Sequence, residues 1–378
     1  FSCYTTERGT SGRQYLSSFD KQVLQAGFTV PQRFTFKAQS GSAINLDSTT
    51  DTVGFIGISR DNSADFDCYI MDREVTQVEA SSDTGTTDFS LFAFRPLAPT
   101  GYNDCRISTY HIGPALDLAT LEALQDTLLS EIAAVEAAAA AENYFARLVT
   151  AGDTTHTAYK TPITNYFTGL FQNNLWDKLE SSALFVGVGI QGVTVPLRDG
   201  MTVPTNNNFV AGDLDQLTGL KGNGSTKYLD TGWSPSSSQD DFSYSVYATA
   251  APTTGYICGS ARSGTGSSNM FFDGRTRNQA QTQVSTNIAV GVNNITGTSR
   301  DTSAGFDWMI GGYNGTTSIA SQVASARNFF VFSRTADGAD TPDGITDARL
   351  ATYHAGAALT LSTLEALQDT LITEIAAI

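Results

Sequence analysis

The chain carries one sequence pattern twice, and this repeat constrains its fold more than any other feature. The stretch TYHIGPALDLATLEALQDTLLSEIAA begins at Thr109, and the near-identical stretch TYHAGAALTLSTLEALQDTLITEIAA begins at Thr352. Upstream of these, GISRDNSADFD ends at Asp67 and GTSRDTSAGFD ends at Asp307. Similarity that recurs at a nearly constant spacing indicates one type of domain occurring twice.

The two copies differ in extent. The first copy, residues 1–137, contains no counterpart of roughly 150–243. We therefore predict a partial first repeat with a closing helix at 1–137 and a linker at 138–160. A second repeat, with a helix at its start and a closing helix at its end, is predicted at 161–378. Because the sequence opens on Phe1, with neither an initiator Met nor a signal peptide, we expect it to begin within a longer protein.

Alternating apolar and polar runs predict short strands between Gly, Asn, Ser and Asp turns. Their spacing favours antiparallel hairpins over βαβ units, which need helical crossovers between strands. The predicted fold class is mainly β, with an antiparallel β-sandwich that is repeated and closed by short helices. The predicted strands of the second repeat are KYLDTGW, FSYSVYAT, GYICGS, NMFFDG, NIAVGV, FDWMIGG and NFFVFSR.

Two kinds of helix interrupt the strands. Apolar residues at helical spacing predict a helix over 161–180, with Pro162 in its first turn. The second kind closes each repeat, and Thr360 or Ser362 together with Glu365 is its predicted cap. The leucine stripe of this closing helix fits packing on its own sandwich and equally a short coiled seam between subunits.

Composition argues against several classes of partner. The formal net charge of -16 opposes binding to nucleic acid and to anionic membranes, because phosphate recognition needs clustered Lys and Arg. No apolar run reaches the roughly 18 residues of a membrane span. The four cysteines and three histidines have no metal-ligand spacing. We expect reduced cysteines, no cofactor, no metal site, no nucleic-acid partner and no membrane insertion.

The best preserved polar motif is Ser-Arg-Asp, which contains Arg60 and Asp61 in the first copy and Arg300 and Asp301 in the second. One interpretation makes these residues a ligand site in a loop. The other makes each pair a salt-bridged turn that fixes the entrance to the next hairpin. We keep the four residues as candidate ligand-binding residues.

Aromatic residues and histidines complete the set of candidates. Tyr228 and Trp233 could stack on sugar rings, because an aromatic face matches the apolar face of a pyranose, although both also fit a core position. His111 and His354 recur in the two TYH motifs. We predict that both are neutral and hydrogen-bonded to backbone, since no further ligand lies at metal-binding spacing.

Two patterns of enzyme chemistry are incomplete in this sequence. Gly187, Gly189 and Gly192 of GVGIQG match the glycines of a dinucleotide fingerprint, but the strand-like run VTVPL follows where a helix is needed. A retaining glycanase needs two carboxyl groups about 5 Å apart. Residues 181–360 contain no Glu at all. We expect no catalytic residues and no enzyme activity.

The runs GLKGNGSTKYLDTG, SRDTSAGFDWMIGGYNG, ARNFFVFSR and ARLATYHAGAALT occur in this order before the closing helix. Together they resemble the concanavalin A-like, laminin-G-like jelly-roll domains that are common in tail fibres and appendages of tailed phages. The resemblance implies a virion structural protein on the particle surface, a homotrimer with other virion proteins as partners, and lectin-like binding of a cell-surface glycan. A capsid decoration protein and a secreted glycan-binding module are the alternatives.

Overall fold

The computed structural model divides into two compact units, Phe1–Glu131 and Ile132–Ile378. Within residues 1–116 it describes ten strands, and it describes residues 117–378 apart from 237–238, 262–265, 281, 286–287 and 337–338. Two of the predicted ligand-binding residues, Arg60 and Asp61, lie outside the described residues.

The described part of the N-terminal unit consists of two antiparallel sheets. Its strands are β1 (Ser2–Glu7), β2 (Leu16–Ser18), β3 (Gln22–Ala26), β4 (Gln32–Ala38), β5 (Ile44–Ser48), β6 (Gly54–Ser59), β7 (Asp65–Ile70), β8 (Arg73–Val78), β9 (Ser90–Leu91) and β10 (Arg106–His111). One sheet has the order β10-β1-β6-β7-β8, and the other has the order β5-β4-β3-β2-β9.

Three α-helices are present in the described residues, namely α1 (Leu118–Thr150), α2 (Lys160–Gln172) and α3 (Leu361–Ala376). The start of α1 is capped, because the Asp117 carboxylate accepts from the Thr120 backbone N–H at 3.1 Å. Short 3-10 helices occupy Thr155–Tyr159, Trp176–Lys178, Gly192–Thr194 and Ala211–Asp213.

The C-terminal unit contains most of the strands. They are β11 (Leu179–Leu184), β12 (Thr205–Asn207), β13 (Leu214–Asp215), β14 (Gly219–Lys221), β15 (Tyr228–Asp230), β16 (Phe242–Ala250), β17 (Tyr256–Ser260), β18 (Ser267–Phe271), β19 (Thr276–Ala280), β20 (Asn294–Arg300), β21 (Phe306–Ile310), β22 (Tyr313–Thr317), β23 (Phe330–Val331), β24 (Arg334–Thr335), β25 (Pro342–Asp343) and β26 (Arg349–Gly356).

These strands form an antiparallel β-sandwich, as the sequence predicts. The eight-stranded sheet has the order β13-β14-β26-β16-β20-β21-β22, with β11 also paired to β26, and the six-stranded sheet has the order β12-β15-β23-β17-β18-β19. Val246 of the first sheet and Cys258 and Val331 of the second lie in one buried core. Tyr244 crosses this core, and its hydroxyl lies 2.8 Å from the backbone oxygen of Asn269.

The two units share a strand order. In the N-terminal unit the order is β10-β1-β6-β7-β8, and the corresponding strands of the C-terminal unit have the order β26-β16-β20-β21-β22. A side-chain hydrogen bond recurs as well, because Thr76 donates to Asp67 and Thr316 donates to Asp307, each at 2.7 Å. Strands β11 to β15, which arise from residues 179–230, extend both sheets of the C-terminal unit.

Helix α3 packs on the sandwich from which it extends. Gln368 donates to Thr352 of β26 at 2.8 Å, and Leu371 and Ile375 are buried. Of the two alternatives for the leucine stripe, packing on its own sandwich therefore holds for α3. The predicted cap is wrong, because Thr360 makes no side-chain capping bond and Ile295 of β20 donates its backbone N–H to Glu365 instead.

Residues 138–160, predicted as a linker, instead belong to the core of the C-terminal unit. The Arg147 guanidinium donates to the backbone oxygens of Pro196 and Leu197 at 2.6 and 2.8 Å. Alanine side chains give this stretch only a small apolar face. The sequence therefore does not indicate that the helix packs against anything. The buried residues of this half of α1 are Ala137, Ala141, Tyr144, Phe145 and Leu148.

Two predicted elements have different bounds in the structure. The helix predicted over 161–180 ends at Gln172, because Asn174 takes a positive φ of 54°, and β11 begins soon afterwards. The run NIAVGV forms no strand in its described residues, and β20 begins two residues beyond its end, at Asn294.

Candidate functional site

Arg300 is a buried clamp on the backbone. Its side chain is fully buried at the end of β20, and its guanidinium donates to the backbone oxygens of Asn278, Thr302 and Ile319. The guanidinium carbon also lies 5.2 Å from the centre of the Phe306 ring. These bonds occupy the side chain, so the structure assigns Arg300 a role in stability in place of the predicted ligand contact.

The rest of the Ser-Arg-Asp motif is divided between surface and core. Asp301 is exposed, whereas the Ser299 hydroxyl accepts from the backbone N–H of Leu359 at 3.0 Å, just before α3 begins. The predicted salt-bridged turn is replaced by bonds from Arg300 to backbone oxygens. The motif therefore joins β20 to two loops and to the approach to α3.

Trp233 faces the interior of the sandwich. Its ring is stacked on the Phe242 ring at 5.9 Å between centroids and meets the Phe329 ring edge-on at 6.3 Å. Its indole N–H donates to the Glu180 carboxylate at 3.1 Å. Of its two predicted roles, the core position accounts for these contacts.

Tyr228 lies on the opposite, outer face of the six-stranded sheet. Leu229 is buried in the core, and side chains alternate along a strand, so its neighbours Tyr228 and Asp230 point outward. The Tyr228 ring packs on Phe330 at 5.1 Å between centroids and remains half-buried. Asn207 of β12 is the register partner of Tyr228.

Asp230 organises the polar part of this surface. Its carboxylate accepts from both the Gly232 backbone N–H at 2.9 Å and the Asn328 side-chain amide at 3.0 Å. Because Asn328 donates its N–H to Asp230, its side-chain oxygen is turned away from the carboxylate and can accept from a ligand. We call Asn207, Tyr228, Asp230 and Asn328 the Tyr228 face.

A row of residues extends from the Tyr228 face across the same sheet. The register partners run from Asp230 to Phe330, Gly259, Asn269 and Arg277 over five neighbouring strands. Asn269 is buried, and within the described residues neither polar atom of its side chain has a hydrogen-bond partner. Buried amides normally have partners, so Asn269 is an exception within this sheet.

The tyrosine hydroxyl of this face stays protonated at neutral pH. Partial burial raises the pKa of Tyr228, and the nearby Asp230 carboxylate raises it further. The hydroxyl can therefore both donate and accept a hydrogen bond. The face presents an aromatic ring, a carboxylate and two amides within a short span of one sheet.

The glycine-rich run around Gly189 contacts the side chain of Asp153. The buried Asp153 carboxylate accepts from the backbone N–H groups of Gly189 at 2.8 Å and Thr155 at 2.7 Å. A Cβ on Gly192 would clash with this carboxylate. The backbone N–H groups that a phosphate would need are thus already used, by Asp153 at Gly189 and by the backbone oxygens of Gln216 and Gly189 at Gly187 and Gly192.

His354 is buried on β26 beneath α2. Its Nε2 lies 2.9 Å from the Tyr166 hydroxyl, so its partner is a side chain and the predicted backbone bond is wrong. Burial lowers the pKa of His354 to about 3, which keeps the ring neutral at physiological pH.

A cavity of about 310 Å³ lies between the end of α1 and residues 194–203. Its two arginines are already engaged, Arg147 with backbone oxygens as above and Arg198 with the backbone oxygens of Trp176 and Asp177. The remaining lining is largely apolar, with Val195, Pro196, Met201 and Val203 among it. No convergent polar group marks this cavity as a specific site.

Three further features concern the described residues only. No group of three or more His, Cys, Asp and Glu side chains is placed to hold a metal ion. No helix there combines the length and apolar character needed to cross a membrane. Cys68 and Cys258 are buried free thiols, and burial raises the pKa of each.

No protein-family model matches the chain, and no curated protein matches it. Among solved structures, it is similar to the mouse laminin alpha1 chain, domains LG4-5, at 9% sequence identity and a TM-score of 0.27. The match covers 96% of this chain and 82% of the laminin chain. Similarity this low transfers neither residues nor activity, so the site rests on the geometry described above.

Sequence reasoning found one member of the Tyr228 face and missed three. Tyr228 could be predicted because an aromatic side chain that can stack on a sugar ring is recognisable from the sequence alone. Asp230 and Asn328 lie 98 residues apart in the chain, and only the pairing of β15 with β23 brings them together. No local signal predicts that contact.

Proposed function

We propose that this chain is a structural protein of a virion appendage of the tail-fibre kind, and that its C-terminal sandwich binds a host-surface glycan at the Tyr228 face. The observation that supports glycan binding is the combination of an aromatic ring with a carboxylate and two amides on one sheet face. A sugar presents an apolar ring face edged by hydroxyls. Tyr228 matches the ring face, and Asp230 and Asn328 match the hydroxyls.

Charge favours a neutral glycan over an acidic one. The chain has a net charge of -16, and Asp230 stands at the centre of the proposed site. An anionic sugar would be repelled by both, whereas hydroxyls donate readily to a carboxylate. Single sites of this kind are weak, so several copies on an appendage would multiply modest affinities. A homotrimer, which light scattering would detect, belongs to this proposal.

A glycan array probed with the intact chain and with Tyr228→Ala tests the site. We expect binding to neutral glycans that falls about tenfold or more in the variant, since truncation of an aromatic residue that anchors a binding site typically costs about 2 kcal/mol or more. Tyr313→Ala is the matched control, because Tyr313 is 64% exposed on β22 of the other sheet. Absence of binding by the intact chain, or equal binding by both variants, would reject the Tyr228 face as the glycan site.

Immunogold labelling of virions tests the location separately. Label on the tail or its fibres supports the appendage assignment. Label on the head indicates a capsid decoration protein, and absence of the chain from any virion favours a secreted glycan-binding module. Either of the latter results would replace the fibre assignment without affecting the glycan test.

A further inference from the structure

The dipeptide Asn-Gly occurs twice in the sequence, as Asn223-Gly224 and as Asn314-Gly315. A glycine after an asparagine leaves the next backbone nitrogen unhindered, because glycine has no Cβ to shield it. That nitrogen can attack the side-chain amide carbon of the asparagine and close a five-membered ring. The two dipeptides are chemically matched, so a difference in their reactivity within the folded chain arises from their surroundings.

Asn223 lies in an exposed loop between β14 and β15. Its side-chain oxygen accepts from three successive backbone N–H groups. These belong to Ser225 at 3.1 Å, Thr226 at 2.9 Å and Lys227 at 3.1 Å. Successive N–H groups that converge on one atom form a concave site that favours negative charge. The amide oxygen of Asn223 is therefore held where a negatively charged oxygen would be stabilised.

The nitrogen of the same amide has a different partner. Nδ2 of Asn223 donates to the Thr226 hydroxyl at 2.9 Å. A hydroxyl can donate as well as accept, so it can supply a proton to an amide nitrogen that leaves. The amide thus has a fixed orientation, with three donors at its oxygen and a proton source at its nitrogen.

Gly224 gives the loop a backbone conformation that other residues rarely adopt. Its φ is 70°, which glycine reaches without strain. Its N–H donates to the backbone oxygen of Thr346 at 3.1 Å, near the long end of the hydrogen-bond range. Attack by the Gly224 nitrogen on the Asn223 side chain must break this bond.

The second dipeptide has different surroundings. Asn314 and Gly315 belong to β22, and their register partners in β21 are Met309 and Trp308. A Cβ on Gly315 would clash with the Trp308 ring, so this ring covers the glycine. Pairing holds the strand extended. The Gly315 nitrogen therefore cannot turn toward the Asn314 side chain unless the strand leaves its partner.

We propose that Asn223 is a site of spontaneous deamidation in the folded chain, promoted by the N–H groups of residues 225–227 and by the Thr226 hydroxyl. The Gly224 nitrogen attacks the side-chain carbonyl carbon of Asn223, and the proton of that nitrogen passes to hydroxide. The amide nitrogen takes a proton from the hydroxyl, which regains one from water, and leaves as ammonia. The succinimide that results is opened by water at either carbonyl, which yields aspartate or isoaspartate.

The three N–H groups act at the oxygen on which negative charge develops during the attack, as the donors of an oxyanion hole do. The aspartate product keeps an oxygen acceptor for the same N–H groups, and the Thr226 hydroxyl can donate to its second oxygen. This product therefore suits the loop as well as asparagine does, and it adds one negative charge to the surface.

Peptide mass spectrometry of the full chain, incubated at mildly alkaline pH, measures both dipeptides in one sample. We expect Asn223 to deamidate about tenfold or more faster than Asn314, since loss of a single oxyanion-hole donor typically slows a reaction by more than this. In concentrated urea both dipeptides lose their surroundings, and their rates should become nearly equal. Asn223 should react at least as fast in the folded chain as in urea.

Two substitutions in the loop separate the hydroxyl from the N–H groups. Thr226→Val keeps all three N–H donors and removes the proton source, so deamidation of Asn223 should slow several-fold while that of Asn314 stays unchanged. Ser225→Ala is the matched control, because it also keeps the three donors and should leave both rates as in the wild type. Both positions are exposed, so circular dichroism should show a wild-type fold.

Three results would overturn the proposal. Equal rates at Asn223 and Asn314 in the folded chain would show that the loop gives no advantage. A slower reaction of Asn223 in the folded chain than in urea would show that the three N–H groups protect the amide. Equal rates in Thr226→Val and Ser225→Ala would remove the hydroxyl from the reaction.

Discussion

Substituting His354 would change how the stability of the C-terminal unit depends on pH. The pKa of this histidine is about 3 in the folded protein and 6.5 in its ordinary state. Between these values the unfolded chain binds a proton that the folded chain does not, so stability falls as the pH falls. One such group costs about 2 kcal/mol between pH 7 and pH 5, most of it below pH 6.5.

Tryptophan fluorescence isolates the relevant unit. All three tryptophans, Trp176, Trp233 and Trp308, belong to the C-terminal unit, so urea unfolding followed by their emission reports on it alone. In His354→Asn, which cannot take up the proton, the loss of stability between pH 7 and pH 5 should be smaller than in the wild type by about 2 kcal/mol. Carboxylates contribute equally to both proteins and cancel in this difference.

The repeat provides the control for this experiment. His111→Asn alters the equivalent histidine of the N-terminal unit, and the tryptophan transition should keep the wild-type dependence on pH. The reasoning is refuted if His354→Asn and the wild type lose the same stability between pH 7 and pH 5. That result would mean that the His354 ring takes up its proton without unfolding, despite its burial beneath Tyr166.

Two further substitutions test the packing. Leu371→Asp should destabilise the C-terminal unit by several kcal/mol, because it buries an unpaired carboxylate, whereas Leu128→Asp at the same repeat position should cost less than about 0.5 kcal/mol by urea unfolding and circular dichroism. Arg300→Met should cost about 2–4 kcal/mol, because three backbone oxygens lose their donors. A stable Arg300→Met variant with impaired glycan binding would instead restore the predicted ligand role of Arg300.

The fold class was predictable because its signals are local and repeated. Strands β16, β17 and β21 match the predicted runs FSYSVYAT, GYICGS and FDWMIGG to within one or two residues, and β1 and β7 overlap the corresponding runs of the first copy. NIAVGV shows the limit of this signal. Its alternation is as good as that of a strand, yet Val290 enters the core from a loop.

The candidate site was less predictable because recurrence in sequence does not distinguish a structural role from a binding role. Arg300 recurs as part of Ser-Arg-Asp, and the structure uses it to hold three backbone oxygens. The Tyr228 face depends on strand register instead. Asn207 faces outward beside Tyr228 only because β12 pairs with β15 in one register, and a shift by one residue would turn its side chain to the other face.

The run TLEALQDTL is identical in α1 and α3. Comparing the two helices therefore shows which properties depend on the sequence and which depend on the surrounding residues. The run's helical propensity and apolar stripe are fixed by the residues, and both copies form helices. Burying the stripe yields roughly 25 cal/mol per Å² of apolar surface in either copy. In the C-terminal unit, α2 packs against α3 and contributes to the burial of the stripe. In α1, Leu128 and Ile132 are each 45% exposed, so the same residues bury less apolar surface there.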